Sequence, residues 1–254
     1  MSNFFVALYA VLPMFIMLAI GFTVRKMKVI EEAHLPVLNK IVFNVFFPFL
    51  MFNNIYAFDL SADFNASLLL YAVVAVAVIY GLSVGFALIF EKSNKSRGAL
   101  IQAIYRSNFV LMGLPIVGNI FGSGRLGMTS MLVTVIVPMY NILAVITLEV
   151  FRGESIKITK ILKGIVTNPL IIGSVAGILF AVFGIKLPEI AESVISDMAS
   201  AATPLALIVL GASFEFASIK RYKKNLIAVI FARLIIVPAI SLSVAIMIGF
   251  RELI

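Results

Sequence analysis

Eight long apolar stretches follow one another along this chain and set the terms for any fold it adopts. They run approximately over 4–24, 35–57, 65–90, 98–121, 126–150, 161–183, 188–215 and 223–249. Each reaches the roughly 20 apolar residues that a helix needs to cross the hydrocarbon core of a bilayer. None shows the ten-residue alternation of a transmembrane barrel strand. The connections between them are short and polar, which leaves no room for a separate soluble domain. The first stretch is too long for a cleavable leader, and its basic residues Arg25, Lys26 and Lys28 follow it rather than precede it. Of the 254 residues, 62% are hydrophobic and only 13% charged, about half the charged fraction of an ordinary soluble domain. Soluble enzymes, secreted domains and nucleic-acid binders are thereby excluded. With no cysteine and a single histidine, His34, the chain offers no disulfide framework, thiolate metal site or multi-histidine site. The fold class expected is an all-α integral membrane protein of about eight transmembrane helices.

The net charge of +8 reads as topology. Seventeen of the twenty Lys and Arg residues fall in, or close to, the odd-numbered loops, and Arg125, Lys186 and Arg251 make up the rest. Cytoplasmic loops carry the basic excess in membrane proteins. The odd loops are therefore expected in the cytoplasm, and both termini outside a multi-pass protein of the cytoplasmic membrane.

Proline spacing suggests an internal repeat. Pro13 and Pro169 lie 156 residues apart, as do Pro48 and Pro204. The same shift carries the third stretch onto the eighth. Stretches 1–3 and 6–8 thus read as copies of one unit, separated by an odd number of helices and so inverted in the membrane, a recurrent architecture of secondary transporters. The domains expected are a five-helix repeat over 1–150 and an incomplete three-helix repeat over 161–254. By this logic the partners of the fourth and fifth stretches would lie beyond Ile254, in a protein of about 310 residues. The competing expectation is a truncated, non-transporting fragment of such a protein.

Chemistry concentrates in the fourth stretch, where Asn108 is followed by Gly113, Leu114 and Pro115. Pro115 has no N–H and clashes with the carbonyl four residues back, while Gly113 eases departure from helical geometry. A helix broken at mid-membrane is expected, with the free N–H groups of its second half facing an anion and the Asn108 amide donating from the first half. A plain kink, with Asn108 as interhelical glue, is the alternative. Asn44 and Thr203, within a turn of Pro48 and Pro204, are further candidates for the pathway. Asn141 and Ser200 are the other polar groups at depth.

These residues also carry a resemblance. The run from Asn108 through Met112-Gly113-Leu114-Pro115 resembles the fourth-helix motif of the auxin efflux carrier family. Leu38–Leu50, Asn168-Pro169 with Gly173 and Gly177, Thr203–Gly211, and Arg233–Pro238 resemble its second, sixth, seventh and eighth helices. The resemblance covers essentially the whole chain. It implies ten helices in two inverted repeats, with the fourth and ninth broken and crossing at the substrate, and a tendency to form homodimers. It also implies that Asn108 binds the substrate carboxylate and that Pro48 and Pro204 belong to the paired second and seventh helices. The substrates implied are small organic anions, either an auxin-like acid or a dicarboxylate such as malate. The short loop after the fifth helix suits bacterial or archaeal members.

Ionisable groups at membrane depth are functional suspects. Asp197 is the deepest acid, and no carboxylate or histidine chain crosses the core. Arg106 and Arg233 are expected to snorkel to the cytoplasmic side, although Arg106, two residues before Asn108, is placed to draw in an anion. No catalytic residues, metal or cofactor are expected, and no Ser/His or Asp pair supports an intramembrane enzyme. The expected partners are the lipid bilayer and the organic anion, with no nucleic acid.

Overall fold

A computed structural model describes residues 3–56, 65–107, 117, 126–152, 158–215 and 222–250, and among these the regular structure is helical throughout. In chain order the helices are α1 (Asn3–Lys26), α2 (Leu35–Ile41), α3 (Phe47–Tyr56), α4 (Ala66–Phe90), α5 (Asn94–Tyr105), α6 (Leu126–Val150), α7 (Ile158–Val166), α8 (Pro169–Val182), α9 (Glu189–Ala212), α10 (Lys223–Phe231) and α11 (Val237–Met247). A π-helical turn over Val42–Phe46 joins α2 to α3, and another over Ala232–Ile236 joins α10 to α11. Among the described residues five helical stretches are long and apolar enough to cross a membrane: Glu32–Tyr56, Ala66–Phe90, Leu132–Val150, Glu189–Ala212 and Lys223–Met247. The bent pair α7–α8 makes a sixth, and α1 is a further apolar helix of 24 residues.

Local chemistry explains several boundaries. The Asn65 side chain accepts from the Leu68 N–H at 2.9 Å and starts α4. At the junction of α7 and α8, the Asn168 side-chain oxygen accepts from the N–H groups of Leu170 and Ile171 while Pro169 occupies the first helical position. That is a helix start built into what the sequence suggested was one uninterrupted span. α8 stops where Gly184 turns left-handed at φ +61°, a conformation that costs glycine little. Pro13, Pro138 and Pro204 lie inside unbroken helices.

The exterior of these helices is apolar and much of what is buried is small or polar. Ile190 is 82% exposed and Met247 84%, whereas Ser83, Thr147, Ser174 and Asn141 are buried. The three buried hydroxyls donate to the carbonyl four residues back, to Ile79, Leu143 and Leu170 respectively. That satisfies them in a medium where an unpaired polar group costs several kcal/mol.

The chain divides into two compact units, and these interleave its halves. The first unit takes residues 1–64, 108–134 and 166–215, and so holds α1, α2–α3, α8 and α9. Within it, α1 packs on α9, α3 packs on α8, and α9 also packs on α3 and the first π-turn. Both main contacts bring backbones together at glycine. A Cβ on Gly21 would stand 1.9 Å from the Ile208 carbonyl oxygen, and one on Gly177 would stand 2.9 Å from that of Phe52. Displacing either pair by 156 residues gives the other. Gly211 meets the Leu18 carbonyl and Gly173 that of Pro48 in the same way. Polar latches close the ends: the Arg25 guanidinium donates to the Ala212 carbonyl at 2.9 Å, capping the C-terminus of α9. At the other end the Tyr56 hydroxyl donates to Glu192 at 2.6 Å and accepts from the Leu187 N–H.

The second unit takes residues 65–107, 135–165 and 216–254, and so holds α4, α5, the greater part of α6 and α7, and α10–α11. Here α4 packs on α5 and α11, and α5 on α10. The Tyr71 hydroxyl donates to the Ser241 carbonyl between α4 and α11. Arg97 caps the end of α4 through the Glu91 carbonyl at 2.6 Å and more weakly through that of Leu88. Glu91 ties the ends of α4, α5 and α10 together: its carboxylate accepts from the Ser93 N–H and from the Asn225 amide.

Those two hydrogen bonds, the Ser93 N–H first and Asn225 second, hold the Glu91 carboxyl below the usual carboxylate range. A pKa lower in the folded state than in the unfolded one stabilises the fold fully above the unfolded value of about 4.3. That contribution disappears as pH falls through the lower folded value. Glu91→Gln is therefore expected to lower the Tm at pH 7, with the difference from wild type shrinking towards pH 3. Thermal unfolding of both proteins in detergent across that range checks it. A difference independent of pH would exclude the carboxylate as its source.

Candidate functional site

In the first unit the proline of the second span reshapes its helix without breaking it. In an α-helix, Pro48 would owe the Asn44 carbonyl a hydrogen bond that it has no N–H to make. The chain responds with a π-turn in which the Phe47 N–H reaches back five residues to Val42. Such turns gather at functional sites. Pro48 thus gives a bulge and no break, and α9 continues through Pro204. Asn44 sits in the π-turn, donates to the Lys40 carbonyl at 2.8 Å and remains exposed. It lines a groove of about 570 Å³ with Asn39, Lys40, Phe47 and, from α9, Ala206 and Leu210. Pro48 faces away to Gly173 of α8. Thr203 and Pro204 lie on the helix that carries Ala206 and Leu210, one to two turns towards its start, and do not line the groove.

In the second unit α5 ends early. It starts at Asn94 and stops at Tyr105, twelve residues or about 18 Å of rise, well short of the ~30 Å hydrocarbon core. Arg106 is extended, with φ −78° and ψ 111°. Among the described residues helical geometry ends at Tyr105, ahead of the Gly113–Pro115 stretch where the sequence placed a break. Asn108, Gly113, Leu114 and Pro115 themselves lie outside the described residues.

The residues just before that point form a buried polar cluster. Arg106 does not snorkel: it donates to the Asn141 side-chain oxygen at 3.0 Å. Arg233, in the second π-turn ahead of Pro238, donates to the Ala103 carbonyl of α5 at 2.9 Å. Tyr105 is buried and donates to the Tyr140 carbonyl at 3.2 Å. Its ring meets those of Tyr80 and Tyr140 edge-on, at 5.1 and 5.7 Å. The Tyr80 and Thr147 hydroxyls share a hydrogen bond of 3.1 Å. Arg106, Arg233 and Asn141 stood out in the sequence one by one. Their convergence, and the three tyrosines around them, left no signal in it, because no periodicity links positions on four different spans.

The helices are apolar and long enough for a multi-pass membrane protein, with a π-turn ahead of each of Pro48 and Pro238 and two arginines bonded to acceptors inside the second unit. The chain matches the family model described as "Membrane transport protein" over residues 6–254, and it belongs to that family, the auxin efflux carrier family. Among curated proteins it is 26% identical to an uncharacterized transporter of Methanothermobacter thermautotrophicus over 249 residues, 96% of this chain and 80% of that protein. It is 24% identical to an uncharacterized transporter of Methanocaldococcus jannaschii over 253 residues, again 96% of this chain and 80% of the relative.

Proposed function

We propose that the protein is a secondary carrier that exports small organic anions, an auxin-like acid or a dicarboxylate, across the cytoplasmic membrane. In this reading the substrate carboxylate is held where the fourth span is interrupted. The observation that carries the proposal is the end of α5 at Tyr105 after about 18 Å. An interrupted helix within a bilayer needs partners for its freed backbone groups, and is tolerated where it lines a cavity. Interrupted helices of this kind hold substrates in secondary transporters. Asn108 would supply the amide donor, and the backbone around Gly113 and Leu114, freed from helical bonding at Pro115, the N–H donors. Asn44, on the groove between the second span and α9, would line the approach, with Pro48, Thr203 and Pro204 shaping the helices that carry it.

An eight-span, inverted-repeat architecture, with copies over 1–150 and 161–254, accompanies this reading. The glycine contacts support it. A two-fold relation that exchanges spans 1 with 6 and 2 with 7 turns the α1–α9 contact into the α8–α3 contact, and Gly21 against Ile208 into Gly177 against Phe52. Each compact unit also holds matched members of both copies. The odd loops would face the cytoplasm and both termini the outside.

An inside-negative potential favours exit of a monovalent anion by roughly 2.3 kcal/mol per 100 mV, about a 40-fold gradient. Export then needs no coupling ion. The test is flux of radiolabelled indole-3-acetate and malate from liposomes containing the full-length protein, under a potassium–valinomycin potential. Efflux above that of protein-free liposomes, accelerated when the interior is negative, is the expected result. Flux of both acids no faster than from empty liposomes overturns the proposal.

A further inference from the structure

Helix α7 keeps its charged and apolar residues on separate faces. Its nine residues, Ile158–Val166, rise about 14 Å, less than half the ~30 Å hydrocarbon core. At about 3.6 residues per turn they divide into three faces. Ile161, Gly164 and Ile165 share the first and are half-buried. A Cβ on Gly164 would stand 3.1 Å from a Val145 methyl of α6. Ile158, Leu162 and Val166, each four residues from the next, form the second face and are 72%, 56% and 71% exposed. Lys160 and Lys163 share the third with Thr159, and all three are exposed. The spanning helix α4 is different: its exposed Leu70, Val74, Val78 and Leu82 belong to a helix of 25 residues that carries no charge.

We propose that α7 is an interfacial helix that binds anionic phospholipid, with Lys160 and Lys163 at the headgroups and the Ile158–Leu162–Val166 stripe among the acyl chains. Depth supports the placement. Val145 lies five residues, or about 7.5 Å of rise, before the end of α6 at Val150. An amphipathic helix at a membrane surface rests about 5–10 Å into the boundary between headgroups and acyl chains. Charge and apolarity support the occupant. Water would leave the apolar stripe exposed, and hydrocarbon would strand the two ammonium groups; the interface accommodates both. From Glu149 to Lys163 the chain carries four basic residues against two acidic ones, and basic residues beside a bilayer attract anionic lipid.

The chain has no tryptophan, so Leu162→Trp puts a single fluorophore in the exposed stripe of α7. The full-length protein is reconstituted in vesicles of phosphatidylcholine and phosphatidylglycerol, with one lipid and then the other brominated on its acyl chains. Quenching gives the relative association of the two lipids at α7. Phosphatidylglycerol is expected to be favoured by about threefold to thirtyfold, the upper figure being that for two lysines acting in full. Adding Lys160→Gln and Lys163→Gln should lower the ratio to that of the control Leu82→Trp on α4, whereas adding Lys160→Arg and Lys163→Arg should keep it. Equal quenching by the two lipids overturns the site. So does a preference that survives both glutamines, or one that Leu82→Trp shows to the same degree. Quenching by neither lipid means that protein or water covers the stripe, and overturns the site as well.

Discussion

Alanine at Gly21 or Gly211 is expected to cost the protein its stability in detergent. The added methyl would stand 1.9 Å from the Ile208 carbonyl oxygen in one case and 2.1 Å from that of Leu18 in the other. In both cases the obstacle is backbone, which no rotamer change removes. Overpacking a tight contact costs about 1–3 kcal/mol, occasionally more. With rigid helices on both sides the cost should reach the upper end, a fall in Tm of roughly 6–12 °C for a chain of this length. α4 supplies the control. A Cβ on Gly81 or Gly85 meets nothing within 4 Å, and alanine there should be neutral or stabilise the helix by about 0.5–1 kcal/mol. Thermal unfolding of the four variants decides the matter. If Gly21→Ala is as benign as Gly81→Ala, α1 and α9 do not meet backbone to backbone.

The second large effect expected is on transport. Asn108→Ala should bring anion flux to the level of protein-free liposomes while membrane insertion and Tm stay at wild-type values. Losing one hydrogen bond to a charged group costs about 1.5–3 kcal/mol, or some tenfold to 150-fold in affinity. At a site built from few polar groups that is enough to remove flux at ordinary substrate concentrations. Asn108→Asp should be at least as severe, because it sets a like charge against the carboxylate. Wild-type flux in Asn108→Ala would remove this residue from the site.

The spans were legible because lipid imposes a long-wavelength signal. About twenty apolar residues are needed for every crossing, and α4, α6, α9 and the α10–α11 pair lie close to the stretches that hydropathy marks. Breaks and bulges were harder. Proline announces a missing donor, but the helix may end, bend or widen by one residue in response, and neighbouring helices choose among these. At Pro48 packing against Gly173 accompanies a π-turn, at Pro204 the helix continues, and at Asn168-Pro169 a new helix begins. Arg106 shows the same limit. A lone arginine in an apolar stretch reads as a snorkelling side chain, and only Asn141, thirty-five residues away, turns it inward.

By itself, then, the order of residues determined that this is a helical membrane protein and that it belongs among the carriers. It also marked where its prolines and its one Asn-Gly-Pro run fall, since these follow from local composition and spacing. The tertiary structure decided what spacing cannot encode. Glycines at 21, 173, 177 and 211 became backbone contacts, the two halves of the chain interleaved into two units, and arginines from two spans found acceptors at Asn141 and Ala103. The reason is physical. Crossing a bilayer is a property of each segment alone, whereas close approach and buried charge are properties of pairs, settled only when the partner helix is in place.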